Sequence, residues 1–163
     1  MVGEPELEFI DRLAVEVSAD QEVTWAALIE VLTRSLESTS SRLAARALGS
    51  SELEATGPRP IEAGATLPGF RVASVEAPAA LVIDGSHRFA RHEMTFHLAE
   101  SDDTETELAV ETRADFPGPI GTAYRSLVIG SRGHVLATRR LLVSVRREAE
   151  ARARASGPAR VRP

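Results

Sequence analysis

The sequence predicts an α+β fold: a curved antiparallel sheet laid against one long C-terminal helix. Three observations lead there. A short alternating segment and an amphipathic helix open the chain. Extended, turn-punctuated segments fill its middle. A single helical pattern, from about Pro119 to about Arg152, closes it. A helix of that length needs a broad apolar surface to lie on, and helix and sheet must bury their apolar faces on each other. A curved sheet gripping a helix leaves a hollow between the two.

The first strand is Leu13-Ala14-Val15-Glu16-Val17, which alternates apolar and polar residues as a half-buried strand does. Ser18 follows, with Gln21 three residues on, in the pattern of a capping box. Asp20 and Glu22 then sit where the helix dipole favours acids. Trp25, Leu28, Ile29, Leu32 and Leu36 recur at helical spacing and mark one buried face. Ser38 to Ser41 breaks that pattern, and Leu43, Ala44, Ala47 and Leu48 predict a second short helix ending at Gly49.

From Gly49 to Gly69 the chain is rich in Gly and Pro and reads as loops, with short strands around Leu53 and from Thr66. Phe70 to Glu76 and Ala80 to Ile83 read as neighbouring strands separated at Pro78, and Asp84-Gly85 as a hairpin turn. His87 to Ala99 is the longest extended segment. Phe89 lies on one parity and Met94, Phe96 and Leu98 on the other, so a bulge near Ala90 is expected. Ser101-Asp102-Asp103-Thr104 makes an acidic turn. Glu107 to Asp115 follows as a strand with Leu108, Val110, Thr112 and Ala114 on one face.

Pro119 suits the first position of the last helix. Arg125, Arg132, Arg139 and Arg146 fall seven apart and form one solvated stripe. Ile120, Tyr124, Leu127, His134, Leu141 and Val145 form the opposite face. Gly121, Gly130 and Gly133 mark close backbone approach or a bend. Residues 151–163 read as a frayed tail rich in Ala, Arg and Pro. The core expected from these periods holds Leu13, Val15, Val17, Trp25, Leu28, Phe96, Leu108, Val110, Leu127 and Leu141.

Composition bounds the function. The 163 residues fit one domain, 1–163, long enough to bury roughly two-thirds of its unfolded surface without staples. The formal net charge of −5 argues against a nucleic-acid partner. There is no cysteine, which excludes disulfides and thiolate zinc sites. The acidic start Met1-Val2-Gly3-Glu4-Pro5-Glu6 shows no secretory pattern, and no apolar stretch reaches the ~18 residues of a membrane span. A soluble, cytoplasmic protein is expected. Lys and Asn are both absent, which points to a GC-rich coding sequence rather than to selection of Arg for phosphate recognition.

The order of elements over about Leu7 to Glu150 resembles the START-like superfamily, also called helix-grip, SRPBCC or Bet v 1-like. Two segments carry the resemblance. Gly64-Ala65-Thr66-Leu67-Pro68-Gly69-Phe70-Arg71-Val72 leads into the middle strands. Ser18-Ala19-Asp20-Gln21-Glu22-Val23-Thr24-Trp25 is similar to the helix opening of the bacterial polyketide cyclase/dehydrase-like branch. The resemblance implies a helix-grip fold and a family of lipid carriers, aromatase/cyclases, coenzyme-Q-binding proteins and chaperone activators. No catalytic motif is matched, so no catalytic residue carries over. The Pro-rich segment before Phe70 departs from the pattern and leaves the strand count there open.

The expected function is binding of a small hydrophobic, lipid- or polyketide-like molecule in a hollow of at least ~300 Å³. The alternatives are a cyclase/aromatase- or dehydrase-type enzyme and an interaction module with a filled hollow. Candidate cavity residues are His92, Met94 and Phe96 on the long extended segment, Thr112 on the last strand, and Tyr124, Leu127, His134 and Thr138 on the final helix. His134 and Tyr124 are the possible base and acid, with no orienting carboxylate evident beside them. His87, His92 and His97 are five apart; on one straight strand they alternate faces and cannot converge on a metal. No metal or other cofactor is expected.

Overall fold

The computed structural model describes residues 7–102 and 104–156. Strand β1 (Glu8–Val17) leads into helices α1 (Gln21–Leu36) and α2 (Thr39–Leu48). Strands β2 (Thr66–Leu67), β3 (Phe70–Glu76), β4 (Ala80–His87), β5 (Ala90–Asp102) and β6 (Glu105–Asp115) follow. Helices α3 (Gly118–Val128) and α4 (Gly133–Ser156) close the chain. The six strands form one antiparallel sheet in the order β1-β6-β5-β4-β3-β2. Chain order would leave β1 beside β2. Instead β1 pairs with β6, so the first and last long strands meet.

The inner face of the sheet follows strict parity. Leu81 and Ile83, Phe96 and Leu98, and Leu108 and Val110 are buried there, beneath Leu28, Val31 and Leu32 of α1 and Leu142 and Val145 of α4. Each such side chain contributes roughly 1.5–3 kcal/mol by leaving water. Val17, Leu28, Phe96, Leu108 and Val110 are buried as the periods predict, while Leu13, Val15, Trp25 and Leu141 pack partly buried against this core.

Several local expectations are corrected. Helix α1 is capped by Asp20, whose carboxylate accepts from the Val23 amide at 2.8 Å. The Gln21 side chain donates instead to the Leu98 carbonyl at 2.8 Å, so the Ser18–Gln21 box does not form. Helix α2 starts at Thr39 with Ser38 as its cap, so the break between α1 and α2 is shorter than the serine run suggests. There is no strand at Leu53 among the described residues.

Asp84-Gly85 does not turn the chain. It lies inside β4, and the hairpin turns at Arg88 and Phe89, where His87 pairs with Ala90. This turn, rather than a bulge, explains the parity change at Phe89. Gly85 is needed at its place for another reason. A Cβ there would come within 2.1 Å of the Gly69 carbonyl oxygen and 2.8 Å of His92 Nε2. The turn before β3 therefore lies directly on β4.

The closing helix is two helices. Residues 129–132 interrupt it, and Arg132 adopts a left-handed φ of 58°. Helical phase does not carry across four non-helical residues. The buried stripe of α4 is Thr138, Leu142, Val145 and Ala149, whereas Leu127 on α3 points outward and is 67% exposed. The tail is also shorter than expected: α4 continues to Ser156, with Ala153 packed on the core. Met1 to Glu6, Asp103 of the acidic turn, and 157–163 lie outside the described residues.

Candidate functional site

The core fills only one end of the concave sheet. At the other end, where β5 and β3 begin and β4 and β6 finish, a cavity of about 290 Å³ remains. This is at the lower edge of the expected size. It lies beside the start of α4 rather than under its middle, and α2 forms a wall that the sequence did not suggest. Ala44, Ala45 and Leu48 of α2 face it from one side, and Tyr124 and Val128 of α3 cover it from another. Inward residues of β5 and β6, from Ala90 to Met94 and from Thr112 to Ala114, form its floor. Among the described residues, no Arg, Asp or Glu borders it.

Helix α3 is placed by close backbone contact. At Gly121 a Cβ would meet the Phe116 backbone at 2.7 Å and the Phe89 carbonyl oxygen at 3.1 Å. The α3 side turned away from the cavity carries Ile120 and Leu127 into solvent.

The eight candidate residues divide. His92, Met94, Thr112, Tyr124 and His134 border the cavity. Phe96 and Thr138 do not; Phe96 is buried in the core with residues of α1 and α4, and Thr138 lies on the buried stripe of α4. Leu127 is on the outer surface of α3 with Ile120, while Tyr124 and Val128 take the side toward the cavity.

His87 also borders the cavity, and sequence reasoning missed it. On a straight strand it would face away from His92. The hairpin folds β4 beside β5 and puts both on the inner face, with ring centroids 5.6 Å apart. Tyr124 meets His87 edge-on at 5.1 Å and stacks on Phe89 at 5.3 Å, and Phe70 meets His92 edge-on at 4.9 Å. Three of the five phenylalanines thus gather with the single tyrosine and two histidines at this end, since Phe116 lies 6.4 Å from Tyr124.

Burial controls the charge of these rings. Desolvation, then the neighbouring His87, hold the His92 pKa down to about 4, against partial opposition from the Gly69 carbonyl. Desolvation also lowers His87 and raises Tyr124. At neutral pH His87, His92 and Tyr124 are therefore uncharged, and the cluster is an apolar surface with a few neutral polar tips.

A second polar group sits at the β1 edge. His134 Nε2 lies 3.2 Å from Thr112 Oγ1 and 3.5 Å from Asp11 Oδ1. Asp11 is thus a carboxylate beside His134 that the sequence did not reveal. Its signal was present: Asp11 shares parity with Leu13, Val15 and Val17, so extending the strand two residues places an acid on the inner face. A bulge at Ile10 follows, which turns Ile10 toward the cavity. Among the described residues no three His, Asp or Glu come together in a way that could hold a metal ion. No described helix is long and apolar enough to cross a membrane.

No family model matches the sequence, and no curated protein does. Solved structures match at the level of fold. The Zhui aromatase/cyclase from Streptomyces sp. R1128 aligns over 94% of this chain and all of its own (100%), at 17% identity and a TM-score of 0.55. The chain has the helix-grip fold. Truncated norcoclaurine synthase from Thalictrum flavum shares it over 85% of this chain and 95% of its own, at 12% identity and a TM-score of 0.55. CalU16 from Micromonospora echinospora does so over 98% of this chain and 100% of its own, at 16% identity and a TM-score of 0.50. In helix-grip terms, α4 is the gripped helix, and the cavity lies where its N-terminal end leaves the sheet.

Proposed function

We propose that this helix-grip domain binds a small, uncharged, largely apolar molecule in the cavity beneath α3. The observation that carries the reading is the cavity itself: about 290 Å³ of space walled by apolar groups and rings, with no charged side chain on its lining among the described residues. Ligand pockets are typically ~300–1,000 Å³ and mostly apolar with a few polar groups. This one is at the small end, which favours a compact ring compound over a long acyl chain. Edge-on and stacked rings at its rim suit the faces of another aromatic ring. An interaction module with a filled hollow would have no use for this space.

Native mass spectrometry of freshly purified protein tests the reading, together with fluorescence titration of methoxynaphthalene. The expected results are a co-purifying small molecule or saturable probe binding, and loss of either in Ala44→Trp, which fills the cavity from its exposed α2 wall. Absence of both in the native protein would remove the ligand-binding reading. A second reading, an acid–base enzyme acting on a polyketide-like substrate, has one observation in its favour: Asp11 stands beside His134.

A further inference from the structure

Asp11 and Thr112 are directly opposite each other in the β1–β6 ladder, and both point to the inner face. Both Asp11 carboxylate oxygens are shielded from solvent, and neither has a hydrogen bond among the described residues. A buried carboxylate left in this way is costly unless a donor approaches it. The ring nitrogen that faces it is His134 Nε2, which stands 3.5 Å from Asp11 Oδ1 and 3.2 Å from Thr112 Oγ1.

A carboxylate only accepts hydrogen bonds, so the ring nitrogen it faces is the one that carries the proton. In the uncharged ring of that tautomer the lone pair is on Nδ1. Among the described residues, no hydrogen bond or ion pair occupies that nitrogen. His134 borders the cavity, at the first turn of α4, and its side chain is largely buried.

We propose that Asp11 fixes His134 as the Nε2–H tautomer, and that His134 Nδ1 accepts a hydrogen bond from a ligand hydroxyl. The ligand class is then a neutral hydroxylated ring compound, such as a phenol or naphthol. An unsubstituted hydrocarbon would leave Nδ1 without a donor. A carboxylate ligand would find no Arg on the lining to balance it and would lie close to Asp11. Asp11 acts here as a positioning residue, through His134. The proposal rests on ligand binding in the cavity, so its test separates the two.

Fluorescence titrations compare naphthol, methoxynaphthalene and naphthoate. The native protein should bind naphthol about tenfold more tightly than the ether, the worth of one hydrogen bond that the ether cannot donate, and naphthoate least. In His134→Ala and in Asp11→Asn the naphthol-to-ether ratio should fall to about one. Nitrogen NMR of histidine-labelled protein reads the tautomer itself: Nε2–H at His134 in the native protein, and a mixed or reversed pattern in Asp11→Asn, whose amide can donate as well as accept. This signature would not move if Asp11 were only a packing residue. Equal binding of naphthol and ether by the native protein overturns the acceptor role and leaves the cavity reading standing. Binding of neither overturns both. An Nδ1–H tautomer in the native protein overturns the proposal whether or not the Asp11 variant folds.

Discussion

Acid should destabilise this protein through His92 before most of its carboxylates are protonated. In the unfolded chain a histidine titrates near its ordinary value of 6.5, whereas in the fold burial and His87 hold His92 to about 4. Between these values the unfolded state carries a proton that the folded state does not. Stability from this group is therefore complete above about pH 6.5, falls as pH drops through the window, and is fully lost below about pH 4. The size of the loss follows from the separation of the two values and comes to roughly 3 kcal/mol. The assay is urea unfolding of the native protein and of His92→Gln between about pH 7 and about pH 4.5. Carboxylate titration is common to both proteins and cancels in the difference. Glutamine also keeps an N–H for the Gly69 carbonyl. The native protein's advantage over the variant should shrink by roughly 2–3 kcal/mol across that range. A difference that stays constant with pH would show that His92 is solvated, and that the packing described around Gly85 and Phe70 is wrong.

Two further outcomes are expected. Leu142→Ala should cost about 2–5 kcal/mol by leaving a cavity under α4, while Leu127→Ala should change stability by less than about 0.5 kcal/mol; paired urea melts check this, and a large loss at Leu127 would mean that α3 and α4 form one continuous helix. Gly85→Ala should cost about 2–3 kcal/mol, because the added methyl meets the Gly69 carbonyl oxygen at 2.1 Å and must push the turn before β3 off β4; a thermal melt equal to that of the native protein would refute that close approach.

Local pattern alone was enough to place most elements. The alternation of Leu108, Val110, Thr112 and Ala114 fixes the inner face of β6, and the three- and four-residue spacing of Leu28 and Leu32 fixes that of α1, because side-chain direction in a strand or helix repeats with the backbone. The same rule makes His92, Met94, Thr112, Tyr124 and His134 legible as inward residues. It failed wherever the period was interrupted. A turn at Arg88 and Phe89, which no Gly or Pro marks, brought His87 beside His92. Four non-helical residues at 129–132 separate α3 from α4, so one apolar face does not run from Ile120 and Leu127 through to Leu141 and Val145.

What only the tertiary structure decided is which inward residues meet. Phe96 and Met94 share a face and look equivalent in sequence, yet Phe96 lies under α1 and α4 and Met94 borders open space. Asp11 and His134 are at opposite ends of the chain, and they meet because β1 pairs with β6 and α4 begins over that edge. The sequence determined the elements and the direction each residue faces, since both depend on neighbours a few positions away. The cavity and its polar groups depend on which elements pack together and how far each extends, and that is set by burial across the whole domain.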